Sequence, residues 1–181
     1  MGKRKRNKVF IAKSLDGYIA DKNGGIDWLQ SIPNPDNIDM GYESFINNID
    51  AIVMGRTTFE TVCNFDIDWP YKKPVFVLSK TMNRIEEKYK GKAELVNGSL
   101  ENILKEINQK GNYRLYIDGG ATIQSFLKED LIDELIITTI PILLGGGSYL
   151  FSEMPKKLAF KHVDTQVYLN EIIQSHYIRK R

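Results

Sequence analysis

Three places in the sequence put ligand-binding residue types where an apolar run ends. In "AIVMGRTTFE" (51–60), four apolar residues lead into Gly55, Arg56, Thr57 and Thr58. Gly55 permits a tight turn or a close backbone approach to a ligand. Thr57 and Thr58 then open a helix, whose free N–H groups attract anions. Arg56 adds a permanently charged fork suited to phosphate. Alone, the same residues would equally make a Thr-capped helix with a surface Arg. "IDGGAT" (117–122) repeats the pattern: Gly119 and Gly120 let backbone amides reach a phosphate, or form a plain strand-to-helix turn. "VLSK" (77–80) ends in Ser79 and Lys80, which either grip another anionic group or end a strand in water. Together the three favour one extended ligand with several phosphates, which points to a dinucleotide. Neither G-x-G-x-x-G nor G-x-x-x-x-G-K-[ST] occurs, which argues against the usual dinucleotide fingerprint and against NTP hydrolysis.

A sheet must hold these ends in line. Apolar runs at 8–14, 17–20, 51–54, 74–79, 93–96 and 113–118 read as strands. Helices alternate with them. Ile38, Tyr42, Phe45 and Ile49 recur at helical spacing over 38–49, despite Gly41. Ser99 caps a helix whose stripe is Leu100, Ile103, Leu104 and Ile107, and "ATIQSFLKE" (121–129) follows Gly120. Residues 24–37 are rich in turn formers and read as a long loop. From Asp133 the pattern changes. A strand runs into Gly145, Gly146 and Gly147, and two long alternating strands meet at Asn170. This order predicts an α/β fold, with a mostly parallel sheet and an antiparallel C-terminal hairpin. Ligands of such sheets bind beyond the carboxyl ends of the strands.

Composition narrows the class. At 181 residues, 42% of them hydrophobic, the chain fits one globular domain. Lys3, Arg4, Lys5, Arg6 and Lys8 hold five positive charges, so the remainder of a chain of net +2 is −3. Residues 1–7 therefore read as a frayed, solvated basic terminus and 8–181 as the domain. The rival reading, a nucleic-acid arm, lacks a basic stripe with interleaved aromatics behind it. One cysteine, Cys63, excludes an internal disulfide and fits a reducing cytoplasm. With His162 and His176 it makes no metal-ligand cluster, so all three read as structural or surface residues. No apolar run approaches the roughly 18 residues of a membrane span. The start lacks the apolar segment of a secretory signal. The expected location is the cytoplasm, with a small molecule rather than nucleic acid or membrane as partner.

The ordered set "SLDGYIA", "GRTTFE", "VLSK" and "IDGGATIQSFL" resembles the dihydrofolate reductase-like superfamily. "PILLGGGSYLF" draws it toward the reductase domain of riboflavin-biosynthesis deaminase–reductases and its stand-alone relatives. The resemblance spans about Lys8 to Arg181. It implies a three-layer α/β/α fold and NADPH as cofactor. By position, Arg56, Thr57 and Thr58 match residues that bind the adenosine-side phosphates. Ser79 and Lys80 match the 2′-phosphate edge. Gly119, Gly120, Ala121 and Thr122 match the pyrophosphate turn, and Ala12, Ile19 and Ala20 the nicotinamide wall. The resemblance also implies a homodimer, to which the long C-terminal strands add an apolar edge.

At the substrate end the resemblance offers Asp39 as the carboxylate that delivers a proton, on one helix with Tyr42 and Phe45. Asp39 is equally a helix cap facing water. Trp28 matches a loop tryptophan near the substrate, or is a core aromatic. The expected activity is NADPH-dependent reduction of a small heterocycle, either a pyrimidine ribosylamine or a pterin. Glu43, where folate reductases place an apolar residue, counts against folate itself. A zinc deaminase signature, H-x-E with P-C-x-x-C, cannot be built with one cysteine. The rivals are a true dihydrofolate reductase, a non-catalytic NADPH-binding protein, and a DNA-binding module led by the basic start. The three-glycine loop either shapes the site or contact region, or merely turns the chain.

Overall fold

The computed structural model describes residues 5–65 and 67–181. An eight-stranded sheet forms its centre. In chain order the strands are β1 (Arg6–Ser14), β3 (Ala51–Gly55), β4 (Val75–Leu78), β5 (Ala93–Val96), β6 (Arg114–Asp118), β7 (Glu134–Ile140), β9 (Phe160–Tyr168) and β10 (Ile172–Arg179). They lie side by side as β5-β4-β3-β6-β1-β7-β10-β9. The first six are parallel, and β10 runs antiparallel to both β7 and β9. β2 (Tyr18–Ala20) and β8 (Ser148–Tyr149) form a separate two-stranded ribbon.

The helices are α1 (Tyr42–Asn47), α2 (Arg56–Cys63), α3 (Leu100–Gln109) and α4 (Gly120–Lys128). The "AIVM" run is apolar throughout because β3 is covered on both faces. Ala51 and Val53 pack with Ile103, Ile107, Ile123 and Phe126 of α3 and α4. Ile52 and Met54 pack with Phe45 of α1 and Phe59 of α2. This double covering lines up the carboxyl ends of β1, β3, β4, β5 and β6 along one edge.

Two boundaries differ from the sequence reading. The helix expected over 38–49 begins only at Tyr42, because Met40 (φ 52°) and Gly41 (φ 85°) are left-handed and break it. The last strands do turn at Asn170, through residues 169–171, with Leu169 and Asn170 left-handed and the Glu171 N–H donating to the Tyr168 carbonyl oxygen at 3.1 Å.

The second difference is at the start, where β1 takes in Arg6 and Asn7, so the ordered domain starts before Lys8. Arg6 pairs in register with Arg114, and the Asn7 N–H donates to the Asp133 carboxylate at 2.7 Å. Arg6 and Lys8 both form ion pairs with buried Glu134, the Lys8 amine at 3.2 Å. Two of the five basic residues thus neutralise a buried carboxylate. Of the rest of the expected terminus, Lys5 is exposed and outside any strand, and residues 1–4 lie outside the described residues.

Candidate functional site

The junction after β3 and the junction after β6 are built against each other. Gly55 caps α2 in an extended conformation, and Gly119 caps α4 at φ 87°. A Cβ on Gly55 would sit 2.9 Å from the Thr122 hydroxyl, and one on Gly119 would sit 2.2 Å from the Thr58 hydroxyl. Each glycine therefore makes room for the threonine that opens the other helix. Ile19 closes on Gly120 in the same way, 2.6 Å from where a Cβ would be. "GRTT" and "GGAT" form one interlocked floor, with two helix N-termini side by side.

Over this floor runs an open groove of about 1170 Å³. Ala12, Ile19, Ala20, Gly55, Arg56, Thr57, Thr58, Ser79, Lys80, Gly119, Gly120, Ala121 and Thr122 all line it. At the β3–β4 end, Arg56 donates to the Thr81 hydroxyl at 3.0 Å and lies 3.6 Å from the Glu60 carboxylate. The Ser79 hydroxyl accepts the N–H groups of Thr81 and Met82 at 3.2 and 2.9 Å, which fixes the turn that presents Lys80. At the other end, Ala12 stands two residues before the end of β1, and the β2–β8 ribbon supplies Ile19, Ala20 and Tyr149.

The three-glycine loop holds that ribbon in place. Asp16 accepts the N–H groups of Leu144 and Gly145 at 3.2 and 2.8 Å and the Ser14 hydroxyl at 2.6 Å. These bonds, the Ser14 hydroxyl first, hold its pKa below the usual carboxylate value. Gly147 then passes so close to β2 that a Cβ would come within 2.0 Å of the Ala20 carbonyl oxygen. Tyr18 and Tyr149 stack at 4.1 Å, with their hydroxyls 2.6 Å apart, across the ribbon.

The expected substrate residues fall elsewhere. Asp39 is exposed and lies off the groove. Its carboxylate accepts the N–H groups of Glu43 at 2.7 Å and Gly41 at 3.0 Å, which caps the start of α1 and lowers its pKa. A group so placed is ionised and solvated, the opposite of a poised proton donor. Trp28 is a core residue, packed with Ile140 and Ile172, while its neighbours Ile26 and Leu29 reach the groove. Phe45 is buried between Phe10 and Tyr116, at ring distances of 4.9 and 5.1 Å. Tyr42 packs edge-on to Phe10 at 5.7 Å. Neither ring lines the groove, and Phe45 instead lines a second, smaller cavity with Phe10 and Gln174.

A carboxylate that does line the groove, besides that of Glu129 just after α4, is Asp118, the last residue of β6. Burial pushes its pKa up to about 6, against the N–H of Gly119, which donates to it at 2.9 Å, and the opposing effect of Tyr116. Tyr42, Tyr71 and Tyr116 lie near enough to feel its charge, and burial, followed by that charge, raises all three phenols. Asp118 stands inside the motif read from the sequence, but only Gly119, Gly120, Ala121 and Thr122 after it were read as functional. Residues 96–99, Tyr71 and Tyr149 also line the groove. The first of these had a visible signal, because Val96-Asn97-Gly98-Ser99 is a third strand–Gly–helix junction. Tyr71 and Tyr149 had none.

Residues 8–174 match the family model of the RibD C-terminal domain. The chain belongs to that family. RibD C-terminal domains share this architecture with proteins of known structure. A candidate riboflavin biosynthesis protein from Shewanella sp. PV-4 is 55% identical, with a TM-score of 0.95 over 97% of this chain and 99% of that one. The diaminohydroxyphosphoribosylaminopyrimidine deaminase/5-amino-6-(5-phosphoribosylamino)uracil reductase of Thermotoga maritima superposes with a TM-score of 0.76 at 16% identity. It is covered over 57% of its length by 98% of this chain. Dihydrofolate reductase from Enterococcus faecalis, complexed with NADP(H), gives 0.68 at 17% identity, over 97% of both chains. This RibD C-terminal domain chain therefore has the dihydrofolate reductase-like fold. Among its described residues no helix is long and apolar enough to cross a membrane, and no group of His, Cys, Asp and Glu could hold a metal ion.

Proposed function

We propose that the chain is a cytoplasmic, NADPH-dependent reductase of a small heterocycle. The observation that carries this reading is the interlocked floor of the groove. Gly119 and Gly120 give way to Thr58 and Ile19, which lets the two helix N-termini close up into a floor suited to a pyrophosphate. Arg56, Ser79 and Lys80 stand at the end where a 2′-phosphate would lie, and Ala12, Ile19 and Ala20 give an apolar wall for a nicotinamide. Bound there, NADPH would supply the hydride for a C=N or C=O bond. The chain's own part is to orient both partners, exclude water from the apolar end and hold a proton. Asp118, in place of Asp39, holds that proton on its carboxyl group.

Arg56→Ala tests the cofactor assignment. A charge-assisted hydrogen bond to phosphate is worth roughly 1.5–3 kcal/mol, so NADPH affinity should fall about tenfold or more. NADH affinity should stay within about twofold, since NADH lacks the 2′-phosphate. Titration by nicotinamide fluorescence reads both. Equal loss for the two cofactors would move Arg56 to a shared phosphate, and no NADPH binding by the unaltered chain would end the reading.

We also infer a homodimer through the outer face of the C-terminal hairpin. Val167 and Ile173 are a cross-strand pair on β9 and β10, and they remain 62% and 48% exposed. Val163, 47% exposed, stands at the bulge of the same edge strand. Such a face invites a partner. Light scattering should give twice the chain mass of 20.8 kDa, and Val167→Asp should shift it toward one. A monomer from the unaltered chain at micromolar concentration rejects the idea.

A further inference from the structure

The charged groups along the groove are segregated. Arg56 and Lys80 follow β3 and β4. The apolar end formed by Ala12, Ile19, Ala20, Ile26 and Leu29 adjoins β1, which lies three strands from β4 in the sheet. At about 4.8 Å per strand, that separates the two ends by roughly 14 Å. Between them stands Asp118 at the end of β6, with Tyr71 also on the wall. Arg56 and Lys80 are the Lys and Arg residues among the described residues that line the groove, and both serve the far end. Lys13, beside Ala12, turns its amine to the Ser14 carbonyl oxygen at 3.5 Å. Lys22 lies along Gly146 of the glycine loop. Lys72 and Lys73 follow Tyr71 in sequence but do not line the groove.

We propose that the hydride acceptor is a planar heterocycle that carries no phosphate, neutral or weakly basic, seated against Ile19 and Tyr71 with an edge toward Asp118. This rests on the reductase reading and adds the substrate class to it. A phosphomonoester brings a charge of about −1.5 to −2 at neutral pH. In this end of the groove it would meet the Asp118 carboxylate, the phenols of Tyr71 and Tyr149 and aliphatic side chains, and among the described residues no Lys or Arg lines it. Like charges held together in a partly desolvated site cost binding rather than add it. A neutral ring loses nothing there, and its stacking on aromatic and aliphatic walls is favourable. On this view the chain keeps the groove of the Thermotoga maritima reductase fold but not an acceptor of the phosphoribosyl kind that protein is named for.

The experiment compares 5-amino-6-ribosylaminouracil 5′-phosphate with the same compound lacking the phosphate. Each is titrated calorimetrically into NADP⁺-loaded protein and assayed for NADPH oxidation. The unphosphorylated compound should bind, and turn over by kcat/KM, at least about tenfold better, in line with one like-charge contact. Asp118→Asn should bring the binding ratio below about threefold while NADPH still binds, because the repelling charge is gone. A tenfold preference for the phosphate overturns the proposal. So does binding of neither compound, or a ratio that Asp118→Asn leaves unchanged. Failure of the reductase reading looks different: NADPH itself then gives no fluorescence change with the unloaded protein.

Discussion

Asp118→Asn should lower kcat by about two to four orders of magnitude, the usual contribution of a positioned proton donor. The same change should alter the pH profile. Asp118 has its pKa raised by burial to about 6, so the protonated, donating form is lost as pH rises through that value. The unaltered chain should therefore lose kcat steadily above about pH 6, and the Asn variant should be flat and low there. Stability moves in the same window. Between the ordinary carboxylate value of 3.8 and about 6, folded Asp118 keeps a proton that the unfolded chain has released. Stability should thus fall as pH rises through this range, and the Asn variant should lack that part of the slope. Asp39→Asn is the matched control. Asn caps a helix about as well as Asp, so kcat should stay within about twofold. Steady-state NADPH oxidation across pH checks both variants. An Asp118→Asn protein that keeps a third of the original kcat at pH 6, or an Asp39→Asn protein that loses a hundredfold, would return the proton to Asp39.

Gly147→Ala is the second large effect. The residue sits at φ 133°, and its new Cβ would lie 2.0 Å from the Ala20 carbonyl oxygen and 2.8 Å from the Asp21 carbonyl carbon. Both neighbours are backbone atoms, so relief requires moving β2. The cost should reach about 2 kcal/mol or more from the strained conformation and the clash together. Displacement of β2 also carries Ile19, Ala20 and the stacked Tyr18–Tyr149 pair out of line, so NADPH affinity should fall with stability. Gly145→Ala is the control. It is left-handed at φ 65° but has nothing within 4 Å of the new Cβ, so it should cost only about 1 kcal/mol and leave the cofactor site intact. Denaturant midpoints and nicotinamide titrations of the two variants separate the effects. If Gly147→Ala matches Gly145→Ala in both, the loop does not support the site.

The strand ends and their order could be read from the chain because they depend on local pattern. Buried strands covered on both faces need continuous apolar runs, and the turns after them need glycine. "AIVMG" and "YIDGG" state both requirements within a few residues. The hairpin at Asn170 was legible for the same reason, through period-two alternation on either side of a turn residue. The sequence by itself therefore determined the α/β class, the antiparallel C-terminal edge and the glycine-bearing strand ends after β3 and β6.

Tertiary structure decided the rest. That Gly55 faces Thr122 while Gly119 faces Thr58 depends on β3 and β6 being neighbours, and the two motifs are too far apart in sequence to show it. The choice between Asp39 and Asp118 was likewise not local. Both carboxylates stand within two residues of a glycine and precede a helix, and each could cap or donate a proton. Burial separates them: one is left in water by the left-handed break at Met40 and Gly41, and the other is enclosed by tyrosines from α1, β6 and the loop before β4. A carboxyl group's proton affinity is set by what surrounds it, and only the folded chain supplies those surroundings.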